Sequence, residues 1–301
     1  MNSTPLPALN KLLIVGVGLI GGSFALALKQ AGGVRHVVGV GRSEQNLQQA
    51  LQRGVIDEIA SDLPTAAGDA DLVLLAVPVG QMGGVMQQLA PVLPAHAVVT
   101  DAGSTKQDVV ALARTHFAGR LASFVPAHPI AGAEKSGATA AKPDLYVGRK
   151  LVLTPLADTS TQAVQRVRAV WQACGAQICE MSPEQHDAVF AAVSHLPHLL
   201  AFALVEEIAG KPSADQFFRF AASGFRDFTR IASSSPEMWR DISLANRHAI
   251  LQELADYQSQ LERLQGFLQQ ADGDALLSLY SRARQAREDW IHACRPAGTD
   301  S

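Results

Sequence analysis

The sequence predicts an α/β protein: a Rossmann-type, mostly parallel sheet domain followed by an all-α domain. Three observations predict it. Short apolar runs alternate with helical patterns from Lys11 to Glu180. A Gly16-Val17-Gly18-Leu19-Ile20-Gly21 loop joins the first run to the first helix. No β-rich run recurs after Met181. The bounds read as a tail over 1–10, a dinucleotide-binding domain over 11–181, a helical substrate and dimerisation domain over 182–293 and a tail over 294–301.

Lys11–Val15 is a buried-strand pattern that ends in glycine, Gly22–Gln30 is helical and stopped by Gly32-Gly33, and Val37–Val40 is a second strand. Asp71–Val77 continues the pattern as a strand ended by Pro78. The spacing then predicts a helix over Val85–Leu93, a strand over Ala97–Thr100, a helix over Lys106–His116 and a strand over Ser123–Ala127. Lys150–Thr154 and Gln177–Glu180 read as further strands around a helix at Thr161–Cys174.

In the second half Pro183–Gly210 is helical, with Pro197 as a kink or restart. Asp215–Ala232 is a broken helix, and Pro236–Gln270 is one long helix of about 50 Å at 1.5 Å per residue. Within it Ile250, Leu254, Tyr257, Leu261, Leu264 and Leu268 form a heptad seam. That seam fits an amphipathic helix packed in its own subunit or, given the length, a homodimer. Asp274–His292 is the last helix.

With 301 residues, 48% apolar, the chain is long enough for two cores. A net charge of −3 argues against a nucleic-acid partner. The first ten residues lack the basic start and apolar run of a signal peptide. Leu12–Leu28 is broken by glycines and a serine, so no membrane span is expected there. Cys174, Cys179 and Cys294 show no metal spacing, so free thiols, no metal and a cytoplasmic location are expected.

The glycine loop has the strand-before, helix-after context of a dinucleotide site. Gly16 permits the turn, Gly18 lets the backbone approach the pyrophosphate and Gly21 lets strand and helix pack. Backbone N–H groups of this loop, which includes Leu19 and Ile20, and the helix dipole then hold the phosphates. The second strand ends in Gly41-Arg42-Ser43, where NAD sites usually place an acid. Arg42 and Ser43 suit a 2′-phosphate, so NADP is favoured, with NAD possible and a solvated Arg42 as the alternative. Val77 and Pro78 close the facing strand end.

Polar groups concentrate at two more strand ends, Asp101–Lys106 and Ala127–Glu134. His128 follows an apolar strand and precedes proline, which exposes the ring at the crevice and makes it the best general base among the histidines.

These segments carry a family resemblance. GVGLIGGS at 16–23, DAGSTK at 101–106, HPIAGAEKSG at 128–137, SHLPH at 194–198 and GFRDFTRIASSSPEMWRDI at 224–242 together resemble the prephenate/arogenate (cyclohexadienyl) dehydrogenases of tyrosine biosynthesis. No chorismate mutase domain is expected before them and no regulatory domain after. The resemblance implies oxidative decarboxylation of prephenate, arogenate or both. It implies His128 as the catalytic imidazole, Ser104 as a hydrogen-bonding partner of substrate and cofactor, and Arg230 as the holder of a substrate carboxylate.

His195, His198, Asp227, Trp239 and Glu134 match positions that line or support the pocket. Trp239 reads equally as core, and Arg230 could instead pair with Asp227 at i, i+3, although FRDFTR reads as mostly buried. Ala133 stands where many members carry Thr or Ser, which leaves the substrate preference open. A β-hydroxyacid or imino-acid reductase is the rival enzyme, but Lys211, the only lysine after Lys150, sits in a Gly-Lys-Pro turn. A non-catalytic dinucleotide sensor would need no His128–Ser104–Arg230 set.

Overall fold

The computed structural model describes residues 8–133 and 135–294. Strands β1 (Leu9–Val15), β2 (Val34–Val40), β3 (Glu58–Ile59), β4 (Leu72–Leu75), β5 (Val98–Asp101) and β6 (Phe124–Val125) form one sheet in the order β3-β2-β1-β4-β5-β6. Every pairing in it is parallel. The order is that of a dinucleotide-binding sheet, in which the crevice opens where β1 and β4 diverge. Alternation along β1 divides the core: Leu12 and Ile14 pack on one face of the sheet, Leu13 and Val15 on the other.

Helices α1 (Leu19–Gln30), α2 (Glu44–Gln52), α3 (Leu63–Ala67), α4 (Val79–Leu89) and α5 (Gln107–His116) connect the strands. The chain then forms β7 (Ala127–Pro129), β8 (Lys150–Leu153), α6 (Thr161–Ala173) and β9 (Gln177–Glu180). Phe24, Tyr146 and Trp171 fill the α1–α6 face, with ring centroids 4.5 and 5.0 Å from the tryptophan. Met82, Met86 and Phe117 fill the other.

Several expectations from the sequence are corrected. β1 starts at Leu9, inside the expected tail, because Leu9 is fully buried and pairs with Val34. The expected strand 123–127 splits at Pro126. Beyond it the Ala127 N–H bonds the Asp101 side chain at 3.0 Å, and β7 turns to pair antiparallel with β8. β7, β8 and β9 therefore make a separate three-stranded sheet. Helix α4 begins at Val79, directly after Pro78, six residues earlier than the periodicity implied. The short elements α2, β3 and α3 carry too few periodic positions to be seen in the sequence.

The second half is helical: α7 (Pro183–Phe190), α8 (Leu196–Ala209), α9 (Ala214–Arg219), α10 (Ser223–Thr229), α11 (Pro236–Ala245), α12 (Arg247–Gln269) and α13 (Gly273–Cys294). A π-helical turn at Ala191–His195 joins α7 to α8. It absorbs the N–H that Pro197 lacks and keeps the two helices continuous. Pro183–Ala209 is long and apolar enough to cross a membrane by length and composition, yet it carries the buried His186, Asp187 and His195. The long helix expected from Pro236 is broken at Asn246, whose buried amide bonds the Asp187 carbonyl instead of extending the helix face.

The described residues fall into two compact units, divided between Ile250 and Leu251. The first holds both sheets and α1–α11; the second holds most of α12 and all of α13. Of the heptad seam only Ile250 is buried, and Tyr257, Leu261 and Leu268 are exposed.

Candidate active site

β7 sets His128 in register with Val152 of β8, at the point where the chain leaves the parallel sheet. Its half-buried ring packs on Phe190 with centroids 4.9 Å apart. His128 Nδ1 lies 2.8 Å from His186 Nε2, and His186 Nδ1 lies 2.8 Å from Asp187 Oδ1. Burial, and then the neighbouring imidazole of His186, the Lys106 ammonium and the His195 imidazole, holds the His128 pKa well below that of a free imidazole. The ring is therefore neutral at pH 7.

Asp187 is fixed from the other side. Its carboxylate accepts the Lys106 N–H at 2.8 Å and the Gln107 N–H at 2.9 Å, the free donors that open α5. Burial would raise its pKa, but the His186 ring bond and then these two backbone bonds keep it low. Lys106 itself is wholly buried. Its ammonium pairs with Asp101 and donates to the Ala127 carbonyl at 2.8 Å, one residue before His128.

Ser104 lies half-buried in the loop that connects Asp101 to Lys106. His195 is buried behind it, bonded to the Ser104 backbone and lying 3.1 Å from the Asn246 amide through Nδ1. Burial lowers the His195 pKa to about 4. His195 thus lies between Ser104 and Asn246. His198 stacks on Trp239 at 3.7 Å and bonds the Ser194 carbonyl through Nδ1, which leaves Nε2 available. Trp239 is core after all, packed with Ile242 against the α4 face, and its indole N–H has no partner among the described residues.

Arg230 opens a 3₁₀ turn, Arg230–Ser233, packed on α8. It lies near enough to His198 to help lower that ring's pKa. The expectation that FRDFTR is mostly buried is corrected: no residue of α10 or of the turn is buried, and Asp227 is exposed. The phenylalanines there are half out of the chain, Phe228 at 50% exposure. Glu134 lies outside the described residues.

A cleft of about 890 Å³ opens over the glycine loop and is bordered by Gly16, Gly18, Arg42, Ser43, Val77 and Pro78. Gly16 has φ +99°, and a Cβ there would lie 2.4 Å from the Ala76 carbonyl. A Cβ on Gly21 would lie 2.4 Å from the Gly16 carbonyl, so Gly21 acts by packing. Gly18, by contrast, faces open space and caps α1 with no side-chain bond, leaving the first-turn N–H groups of Leu19, Ile20 and Gly21 for a ligand. These residues fit a pyrophosphate. At the far rim the Arg42 guanidinium faces the Gln81 side-chain amide. Ser43 caps α2 by accepting from the Asn46 N–H at 3.2 Å, and its hydroxyl proton stays available.

With this geometry established, comparison with known proteins decides the family. Residues 24–180 match the family model described as prephenate dehydrogenase, nucleotide-binding domain, and residues 182–281 match prephenate dehydrogenase, dimerization domain. The chain belongs to the prephenate dehydrogenase family. Prephenate dehydrogenase of Bacillus subtilis is 38% identical to it, over 92% of this chain and 75% of that one. Cyclohexadienyl dehydrogenase of Zymomonas mobilis is 36% identical, over 92% and 94%. The structure of prephenate dehydrogenase from Aquifex aeolicus, in complex with hydroxyphenyl propionate and NAD+, superposes with a TM-score of 0.87 at 35% identity, covering 93% of this chain and 98% of that one.

In this prephenate dehydrogenase family member, sequence reading missed the groups behind His128: His186, Asp187, Lys106, Asp101 and Asn246. His186-Asp187 sits in an ordinary helical pattern, and its partners are 58 and 81 residues away. Only the adjacent His-Asp pair on an otherwise apolar face could have marked it. Asn46 was missed too. It donates to the Val17 carbonyl at 2.6 Å and accepts from the Ala138 N–H at 2.8 Å, tying the glycine loop to the loop after His128.

Proposed function

We propose that the chain oxidatively decarboxylates prephenate, arogenate or both with hydride transfer to NADP, or to NAD, giving 4-hydroxyphenylpyruvate or tyrosine in tyrosine biosynthesis. The observation that carries this is the neutral His128 imidazole, held on a buried polar frame at the strand end and in the same unit as a pyrophosphate-shaped glycine loop. When bound over the glycine loop, the nicotinamide would supply the acceptor for the C4 hydride. His128 takes the C4 hydroxyl proton through Nε2, Ser104 hydrogen-bonds substrate and cofactor, and Arg230 holds a carboxylate. The ring carboxylate leaves as CO2, its electron pair completes the aromatic ring, and the phenolate oxygen so formed takes the proton back from His128. His198 lines the pocket through Nε2, beside Arg230; by family resemblance Asp227 and Glu134 line or support the same pocket.

The test is reduced-nicotinamide absorbance with prephenate and arogenate, each with NADP and with NAD. Formation of reduced cofactor with either substrate is the expected result; none with any pair would overturn the reading. NADP is favoured because β2 ends in Gly41-Arg42-Ser43. The one carboxylate lining the cleft among the described residues, Asp62, is committed to capping α3 by accepting from the Thr65 N–H at 2.7 Å. Arg42→Ala should weaken NADP about 10- to 150-fold, the loss of a charge-assisted phosphate contact, and leave NAD nearly unchanged. Equal losses for both cofactors would remove the phosphate role.

Arg230→Gln should raise the substrate KM by a similar factor of about 10 to 150 with little change in kcat. An unchanged KM would end the carboxylate assignment. A homodimer through the C-terminal helices accounts for Leu251, Leu261, Leu268, Leu277 and Trp290, each at least 47% exposed in the single chain. The name of the matched domain supports it. The composition and the buried polar face of Pro183–Ala209 support a soluble, cytoplasmic enzyme.

A further inference from the structure

We propose that His186 and Asp187 are positioning residues that set the tautomer of His128, holding its proton on Nδ1 so that Nε2 presents a lone pair to the substrate hydroxyl. The inference rests on the reading of His128 as the base, and extends it to two residues that lie behind the ring.

The tautomer follows from the order of the bonds. Asp187 is ionised and only accepts, so the 2.8 Å contact with His186 Nδ1 requires a proton on that nitrogen. Burial lowers the His186 pKa, so the ring is neutral and its Nε2 carries a lone pair. The 2.8 Å contact between His186 Nε2 and His128 Nδ1 then requires the proton on His128 Nδ1. His128 Nε2 is left as the only acceptor on that ring.

The anchor is rigid. Asp187 receives two backbone N–H groups from the start of α5, and its own carbonyl receives the Asn246 amide at 2.8 Å. His186, Asp187 and Asn246 are all buried. Neither carboxylate oxygen can turn away without leaving a backbone donor of α5 unpaired.

The relay also has an electrostatic task. Lys106, His186 and His195 all disfavour a cation on His128. Asp187, through His186, is the anionic counterweight for the imidazolium that forms when Nε2 takes the C4 hydroxyl proton. That proton alone moves; the Nδ1 proton stays on His128 and the Nδ1 proton of His186 stays on His186.

The test pairs a tautomer measurement with kinetics. Histidine-selective ¹⁵N spectra of the whole protein near pH 7.5, with the His128 signals assigned by their loss in His128→Asn, should show a protonated Nδ1 and an unprotonated Nε2. In His186→Leu the proton should redistribute toward Nε2. There kcat should fall about 10- to 100-fold while the substrate KM moves less than about threefold. His186→Gln, whose amide oxygen can accept the same N–H, should restore at least half of the lost kcat on a logarithmic scale.

A wild-type His128 protonated on Nε2 would overturn the proposal. So would a folded His186→Leu protein, matched to wild type in circular dichroism, with unchanged kcat and an unchanged His128 tautomer. A loss in His186→Leu that His186→Gln does not relieve would make His186 a packing residue and would also overturn it. The reading of His128 as the base fails separately, if His128→Asn turns over normally while the wild-type tautomer is as stated.

Discussion

His128→Asn is expected to lower kcat by about 10²- to 10⁴-fold, the usual share of a positioned general base, with the substrate KM changed less than about threefold. The asparagine amide keeps part of the ring's volume and its Nδ2 can still donate toward His186, so the frame of His186, Asp187 and Lys106 has little reason to shift. What is lost is the lone pair that accepts the hydroxyl proton as hydride leaves. That interaction grows only as charge develops, which is why the loss falls on kcat. The wild-type profile should agree. The base form is the neutral ring, and burial lowers its pKa, so kcat/KM should remain flat as pH falls to 6.5 and decline only below it. Stopped-flow and steady-state absorbance across pH 4.5–9 give both quantities. Normal turnover by His128→Asn, or an acid limb above pH 6.5, would remove His128 from the proton transfer.

The sheet domain was legible because its signals are local. Apolar runs ending in glycine or proline, at Val15, Val77-Pro78 and Ala127-His128-Pro129, mark where strands stop, and the structure puts the first two on the cleft and His128 where the chain leaves the parallel sheet. The place where the sheet changes hands was not legible. Whether residue 127 continues β6 or starts β7 depends on Asp101, which takes the Ala127 N–H from 26 residues away.

The same distinction runs through the site. Ser104 and His128 stand at strand ends and could be picked out. His186 and Asp187 stand inside a helix and acquire their meaning only when α7 meets the start of α5. Asn246 is a further case: in sequence it continues a helical stretch, but in space its amide has a carbonyl and a ring to bond, and the helix yields. The exposed α10 reversed a burial expectation for a comparable reason. Aromatic residues such as Phe225 and Phe228 predict apolar surroundings without saying which chain supplies them.

Lys106 is where fold and chemistry depend on one buried charge, and Lys106→Met should cost about 3–5 kcal/mol of stability. Its ammonium and the Asp101 carboxylate are both wholly buried. Removing the ammonium leaves that carboxylate, among the described residues, with the Gly103 and Ala127 N–H groups at 2.8 and 3.0 Å, and leaves the Ala127 carbonyl without its side-chain donor. Methionine has nearly the same length, so cavity formation contributes little and the charge dominates. The penalty arises from an unpaired buried ion, so Asp101→Asn added to Lys106→Met should recover part of it, as neutralising the survivor does for broken buried pairs. Denaturant unfolding of the three variants measures this. Catalysis should respond as well, since Ala127 precedes His128 and its carbonyl is one tie holding β7 at the crevice. Its release should lower kcat in Lys106→Met by more than the unfolded fraction explains. A single variant as stable and as active as wild type would mean that the attraction in this pair only balances its desolvation, and that β7 is held by its ladder to β8 alone.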